Sequence, residues 1–446
     1  MKTSAALMRS ITFSLLAACA GGAHATPGSP VHQTHPPAVF ATPEEVGYAG
    51  GDDWEPAMIA DKCGHLYVAF AHANPSQERK GTYHTRMLVQ RSDDGGVTWN
   101  APVPVAAPAP KGSEGQFDPW FALAPDGRTL AFGFLQGYPN APADAVMSTT
   151  LGRTWSAPPT RVSSLSPPLD KVVLVSHGST RAYAYTDYHA HIIASISTDS
   201  GTTWTTHIIS SLSGLTPSSQ VLVSGGGIDS RDDVYFTWDA VWDANHKPSP
   251  AAVWITKSSN LGASWTTTTI ASSGMPPKCE QCQDRWFFAP QIAMAVGSDD
   301  TLYLLWNATT PRERNENGGI ERIYFSTSSD RGATFSAPRD VSDAPLGAKH
   351  CFPALTTGPA AGDVRLAWMD TRAGSWNVYY RSSTNGGQTL SSPSIQLSSA
   401  NAANFGIPYG DYMQMTVDTT GMTHAAWGED TNQNNPGSIW IANETR

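Results

Sequence analysis

The sequence predicts an all-β chain folded as a seven-bladed β-propeller of four-stranded antiparallel blades, with a six-bladed ring as the alternative. Three observations lead there. A short turn sequence, Ser-x-Asp-x-Gly-x-Thr-Trp, is repeated along the chain. An apolar strand ending in an aromatic residue recurs at a longer spacing. Helical periodicity is absent, while 39 Gly, 33 Pro and 15 Trp with only 15% charged residues in 446 describe many short strands joined by turns.

The turn is complete at Ser92–Trp99 and Ser197–Trp204, and carries Phe for Trp at Ser328–Phe335. Weaker copies run Ser148–Trp155, with Thr150 for Asp, then Ser258–Trp265, with Asn260 and Ser264, and Ser383–Leu390, with Asn385. Its physics is that of a hairpin. The Asp or Asn side chain accepts nearby backbone N–H groups, Gly supplies positive φ, and the Thr hydroxyl ties down the next strand.

The longer repeat reads Leu66–Phe70, Leu130–Phe134, Ala182–Thr186, Val234–Trp238, Leu302–Trp306, Val364–Trp368 and Thr423–Trp427. These seven units leave room for four short strands each. In the first, a strand from Trp54 to Ala60 turns through Asp61–Gly64 into the aromatic-ended strand. A third strand near Met87–Arg91, the repeated turn and an outer strand near Ala101–Val105 complete the blade. The unit from 160 to 210 is the weakest, and a six-bladed ring would omit it. The seventh unit has a third strand at Ser438–Ile441 with no repeated turn after it, while Ala38–Ala41 precedes the first unit without a blade of its own. An open ring exposes a sheet edge, so the N-terminal strand is expected beside Ser438–Ile441 as the missing outer strand.

Residues 1–25 read as a secretion signal. Lys2 and Arg9 give a positive n-region, Ser10–Ala18 a short apolar run, and Ala23-His24-Ala25 a cleavage site. The alternative is Leu16-Ala17-Ala18-Cys19 as a lipobox, with a signal of 1–18 and a lipid anchor on Cys19. The product is accordingly secreted or periplasmic, or else a lipid-anchored outer-membrane protein. Residues 26–37 form a Pro-rich leader, and 38–446 a single propeller domain expected to act as a monomer. The net charge of −10 and the lack of any basic run exclude nucleic acid as a partner. Export permits disulfides among Cys63, Cys279, Cys282 and Cys351, and a loop staple accounts for Cys279-Glu280-Gln281-Cys282 better than zinc, which wants a second ligand pair.

The repeated turn resembles the Asp box, or BNR repeat, of the sialidase-like β-propellers. The resemblance implies that the turn aspartates are structural and lie on the face away from an active site. The site is then expected where second strands end and first strands begin. Candidate catalytic residues there are Asp53, Asp118, Asp370, Asp411 and Tyr412. Candidate substrate-binding residues are Glu55, Trp120, Arg285, His350 and Arg372. Carboxylates interleaved with aromatic rings and an Arg suit a sugar cleft, because rings stack on sugar faces and carboxylates accept hydroxyl hydrogens or move protons. The plain alternative for each Asp is a cap on loop backbone.

Sialidases carry an early Arg in a Phe/Tyr-Arg-Ile-Pro motif, two later arginines that complete a carboxylate clamp, a Tyr nucleophile with a Glu, and an Asp acid/base. This chain has no Arg-Ile-Pro, and offers Asp52-Asp53-Trp54-Glu55-Pro56 at the early place. Arg285 and Arg372 stand where later arginines would be expected, Tyr412 imitates the Tyr, and Asp118 the acid. The expectation is an exported glycan-active enzyme, a glycoside hydrolase-like protein or polysaccharide lyase on a non-sialyl substrate. A non-catalytic propeller binding glycan or protein at the cell surface is the alternative. No cofactor is expected; the acidic rim would suit Ca²⁺, although no loop has EF-hand spacing.

Overall fold

The computed structural model describes residues 37–48, 51–73, 85–109, 112–138, 142–163, 165, 168–187, 191–210, 221–240, 251–276, 290–310, 320–398, 407–430 and 436–445. The export signal, Cys19, all but the last residue of the leader, Cys279, Cys282 and Arg285 lie outside them, as do the side chains of Tyr409 and Asp411. Among the described residues there is no helix, and the strands form seven antiparallel sheets.

Each sheet is a blade laid down from its inner strand outward. Blade 1 runs Asp52–Ala60, Leu66–Ala73, Arg86–Ser92 and Val103–Pro104. The inner strands of blades 2 to 7 are Gly115–Leu123, Pro168–His177, Val221–Ile228, Ile292–Val296, His350–Thr357 and Ile407–Val417. The weak unit is a full blade: Pro168–His177 pairs with Thr180–Asp187, then Ile192–Ser197 and Thr205–Ile208. The ring therefore has seven blades, not six.

The recurrent aromatic now has a physical reason. Seven apolar clusters fill seven seams between neighbouring blades. Phe134, Trp238, Trp306, Trp368 and Trp427, all fully buried, each fill the seam with the preceding blade. Phe70 does so across the closing seam between blades 7 and 1. Large flat side chains suit this place, since they fill the space between two facing sheets to the packing density of a protein interior.

The six repeated turns join third to fourth strands in blades 1 to 6. In the first, Ser92 Oγ accepts the Gly96 N–H at 2.8 Å, Asp94 Oδ1 the Thr98 N–H at 2.8 Å, and Asp94 Oδ2 the Thr98 hydroxyl at 2.6 Å. The pattern repeats at Asp199 and Asp330. These bonds hold the three carboxyl groups down to about 2. Asn260 and Asn385 accept the equivalent backbone N–H, and Thr150 substitutes its hydroxyl.

Blade 7 is closed by the N-terminus, with a register that differs from the expected one. Two short strands do the work. Glu44–Val46 pairs with Ile439–Ile441, and Val39–Phe40 pairs further along with Glu444 and Thr445. Pro43 lies between them; without an N–H it cannot continue the ladder, so the strand breaks and resumes. The cysteines also sort themselves. Cys351 is buried and free, so it joins no disulfide, whereas Cys63 is disulfide-bonded to a partner outside the described residues.

Candidate functional site

First-to-second and third-to-fourth turns share one face of the ring, so the opposite face collects the starts of inner strands and the ends of second strands. Six of the seven inner strands carry a register shift there. At these bulges Glu55, Asp118, Lys171 and Phe352 adopt positive φ of 57°, 57°, 56° and 50°. A bulge re-aims the side chains of its strand, and positive φ in non-glycine residues is a conformation that neighbours must enforce. Here the neighbours do so. Glu55 Oε2 accepts the Asp118 N–H at 2.8 Å, and Asp118 Oδ2 accepts the Lys171 N–H at 3.1 Å. Each carboxylate pins the bulge of the next blade.

The other oxygen of Asp118 faces across the ring. Tyr412, on the inner strand of blade 7, donates its hydroxyl to Asp118 Oδ1 at 3.3 Å. Lys171 Nζ lies 4.5 Å from the centre of the Tyr412 ring, and the Trp120 ring is 6.5 Å away. Gly410 makes this approach possible: it has φ of +76°, and a Cβ there would come within 2.6 Å of the Glu55 backbone nitrogen. Exposure is 7% for Glu55, 3% for Asp118 and 5% for Lys171. Trp120, Lys171 and Tyr412 line a cavity of about 500 Å³ along the ring axis, whose further walls mix apolar side chains such as Met58, Leu174, Met294 and Met415 with polar ones such as Gln291 and Gln414.

The remaining predicted residues have different partners. Asp370 is bound by the Arg372 guanidinium through Nε and Nη2 and by Trp368 Nε1. Arg372 also reaches Asp343 and Ser394 through Nη1, and stacks 3.8 Å over Tyr379. His350 lies beneath, 3.9 Å from Asp370 and fully buried; burial pushes it down to about 4, so its ring is neutral. Its backbone N–H donates to Glu321. Asp53 belongs to a third group on blade 1, where it accepts the Tyr48 N–H and pairs with His72 Nδ1 at 2.6 Å. Burial raises its pKa.

Lys171 was not among the predicted site residues. The signal was its place one residue after Asp170 at an inner-strand start, matching Glu55 and Asp118 in the two preceding units. The trio Asp61, Cys63 and His65 lies on the opposite face. Cys63 is in a disulfide, and the Asp61 carboxyl already takes the N–H groups of Cys63 and His65 and the Tyr67 hydroxyl. It staples a turn.

Burial on this face also makes a pH prediction. Glu429 is pushed up to about 7, chiefly by burial and further by Glu45, against an opposing hydrogen bond from Trp427. Burial likewise pushes Asp144 up to about 6. The folded state holds these protons more tightly than the unfolded one. Their stabilising contribution is full below the ordinary carboxyl range and is lost as pH rises through 6 to 7. Glu429 alone is worth about 3 kcal/mol between pH 4.5 and 8. Thermal unfolding should show Tm falling across that window, and Glu429→Gln should flatten the fall. An unchanged slope in the variant refutes the assignment.

No family model matches this chain, and no curated protein does. Solved structures do. A protein of unknown function from Dyadobacter fermentans superposes with a TM-score of 0.53 at 12% identity, covering 92% of this chain and 100% of that one. An ulvan lyase of polysaccharide lyase family PL25, bound to -[GlcA(1-4)Rha3S]-, gives 0.54 at 10% identity over 89% and 95%. The NanB sialidase from Streptococcus pneumoniae gives 0.49 at 10% over 91% and 70%. The likeness is one of fold. At these identities, the chemistry of this chain is argued from its own residues.

Proposed function

We propose that this chain is an exported carbohydrate-active protein, a glycoside hydrolase-like enzyme whose site is the mouth of the axial channel. The observation that carries this reading is the Tyr412–Asp118 contact, made between blades 7 and 2 beside Lys171 and Trp120. A hydroxyl held on a carboxylate is a pair through which a proton can move, and the adjoining rings offer sugar faces a surface. Asp118 is the acid/base in this reading. Tyr412 orients it and bounds the sugar subsite, and Glu55, through the Asp118 N–H, is a positioning residue. Export is supported by Lys2, Arg9 and the apolar Ser10–Ala18, and the sialidase-like turn repeat agrees with the fold.

One observation favours a second reading, a propeller that binds glycan without cleaving it. Glu55 and Asp118 both spend an oxygen on the backbone of the next blade, as purely structural caps do. The two readings separate on a panel of polysaccharides incubated with the mature chain. New reducing ends without the ultraviolet absorbance of an unsaturated sugar are the expected result. Unsaturated product makes it a lyase, binding without either signal supports the second reading, and neither binding nor turnover refutes both.

A further inference from the structure

We infer that the channel mouth takes an uncharged glycan, built of neutral sugars, rather than a uronate, sialyl or sulfated one. The inference rests on the carbohydrate reading above and deepens it. An anionic sugar is held by guanidinium or ammonium groups with N–H bonds to give. Among the described residues, the lysines and arginines that the inner two strands of each blade bring to this face are Lys171, Lys349 and Arg372. All are engaged.

Arg372 directs all three nitrogens at Asp370, Asp343 and Ser394, with Tyr379 under its face. Lys349 stands beside Glu321, a fully buried carboxyl whose charge it helps to offset. Lys171 is buried, covers one face of Tyr412, and is close enough to Asp239 to oppose the upward push of burial on that carboxyl. The two Asp239 oxygens are buried without a hydrogen-bond partner. Bringing an anion to Lys171 would place it against Asp118 and Glu55 in a poorly solvated pocket, where like charges repel far more strongly than in water. Buried His350 is neutral, and the ring of His72 is paired with Asp53.

Neutral sugars fit the same features. Their hydroxyl groups donate to carboxylate oxygens, and their apolar faces stack on Trp120 and the exposed part of Tyr412. The test is calorimetric binding of the mature chain to neutral hexasaccharides (mannan, xylan and cellulose fragments) and to acidic ones (oligogalacturonate, oligomannuronate, oligosialate). Each is measured at low and high NaCl. Expected is binding of at least one neutral fragment about tenfold or more tighter than any acidic one. Its Kd should change less than about twofold with salt, because no ion pair is screened, and Asp118→Ala should weaken it. Acidic fragments binding as tightly or more tightly overturn the inference while leaving the carbohydrate reading standing. If no glycan of either kind binds, both fall.

Discussion

A chain lacking residues 38–46 should lose its cooperative thermal transition, or associate through the edge it exposes. These nine residues close the ring. They supply five residue pairs along the last strand, Ser438–Thr445, and nothing else among the described residues covers that edge. They also tie three blades together. Phe40 packs edge-on against Tyr380 of blade 6 at 5.0 Å, while Val46 is buried in the closing seam with Phe70, Leu88 and Ile441. Glu44 accepts from Trp99 of blade 1, whose neighbouring Gly96 carbonyl accepts from Asn443. Burying Val46 is worth about 1.5–3 kcal/mol and the partly buried Phe40 somewhat less, while each ladder hydrogen bond adds about 1 kcal/mol net. Together these terms rival the whole stability of a typical domain. Val46→Asp is the milder form, placing a charge in the same seam. A truncated chain that elutes from gel filtration as the full-length chain does and unfolds at the wild-type Tm would refute this account of closure.

The fold was legible because a propeller repeats its physics. Blades 1 to 6 each need a turn between their outer strands, and every seam needs a large side chain, so the same residue types return six or seven times at similar spacing. The turn aspartates were readable from one copy alone, since their partners lie within four residues. Closure was readable as a need, but not its register, which depends on where Pro43 interrupts the ladder. The site was harder. Asp118 and Tyr412 are 294 residues apart, and no local pattern announces their contact. Convergence at the axis follows from topology, yet topology brings many side chains near the opening and does not say which touch. Asp370 and Arg372 were grouped with Asp118 by that argument. In the structure they satisfy each other two residues apart, as Asp53 does with His72. Lys171 was missed for a related reason: in a rim read as acidic, a lone cation has no motif, and only alignment of the inner strands by position reveals it.

If the chain is the polysaccharide-cleaving enzyme proposed above, Asp118→Asn should lower its kcat/KM by about 10²–10⁴-fold, the usual contribution of a general acid or base. The change is almost isosteric. The amide oxygen can still accept the Lys171 N–H, so the bulge of blade 3 keeps its cap and Tm should stay close to wild type. What is lost is the second acceptor and the ability to carry a proton, which is the separation between structural and chemical roles that the experiment needs. Tyr412→Phe removes only the hydroxyl on Asp118 and leaves the ring beneath Lys171. It should lower kcat more than it raises KM if the hydroxyl orients the acid, and should leave both nearly unchanged if Tyr412 serves only as a stacking surface. Glu55→Gln gives the contrast, because Gln can accept the Asp118 N–H as Glu does, so activity should survive largely intact while Glu55→Ala loses it. Full activity in Asp118→Asn with an unchanged pH profile would remove Asp118 from the chemistry and leave it as a cap between blades.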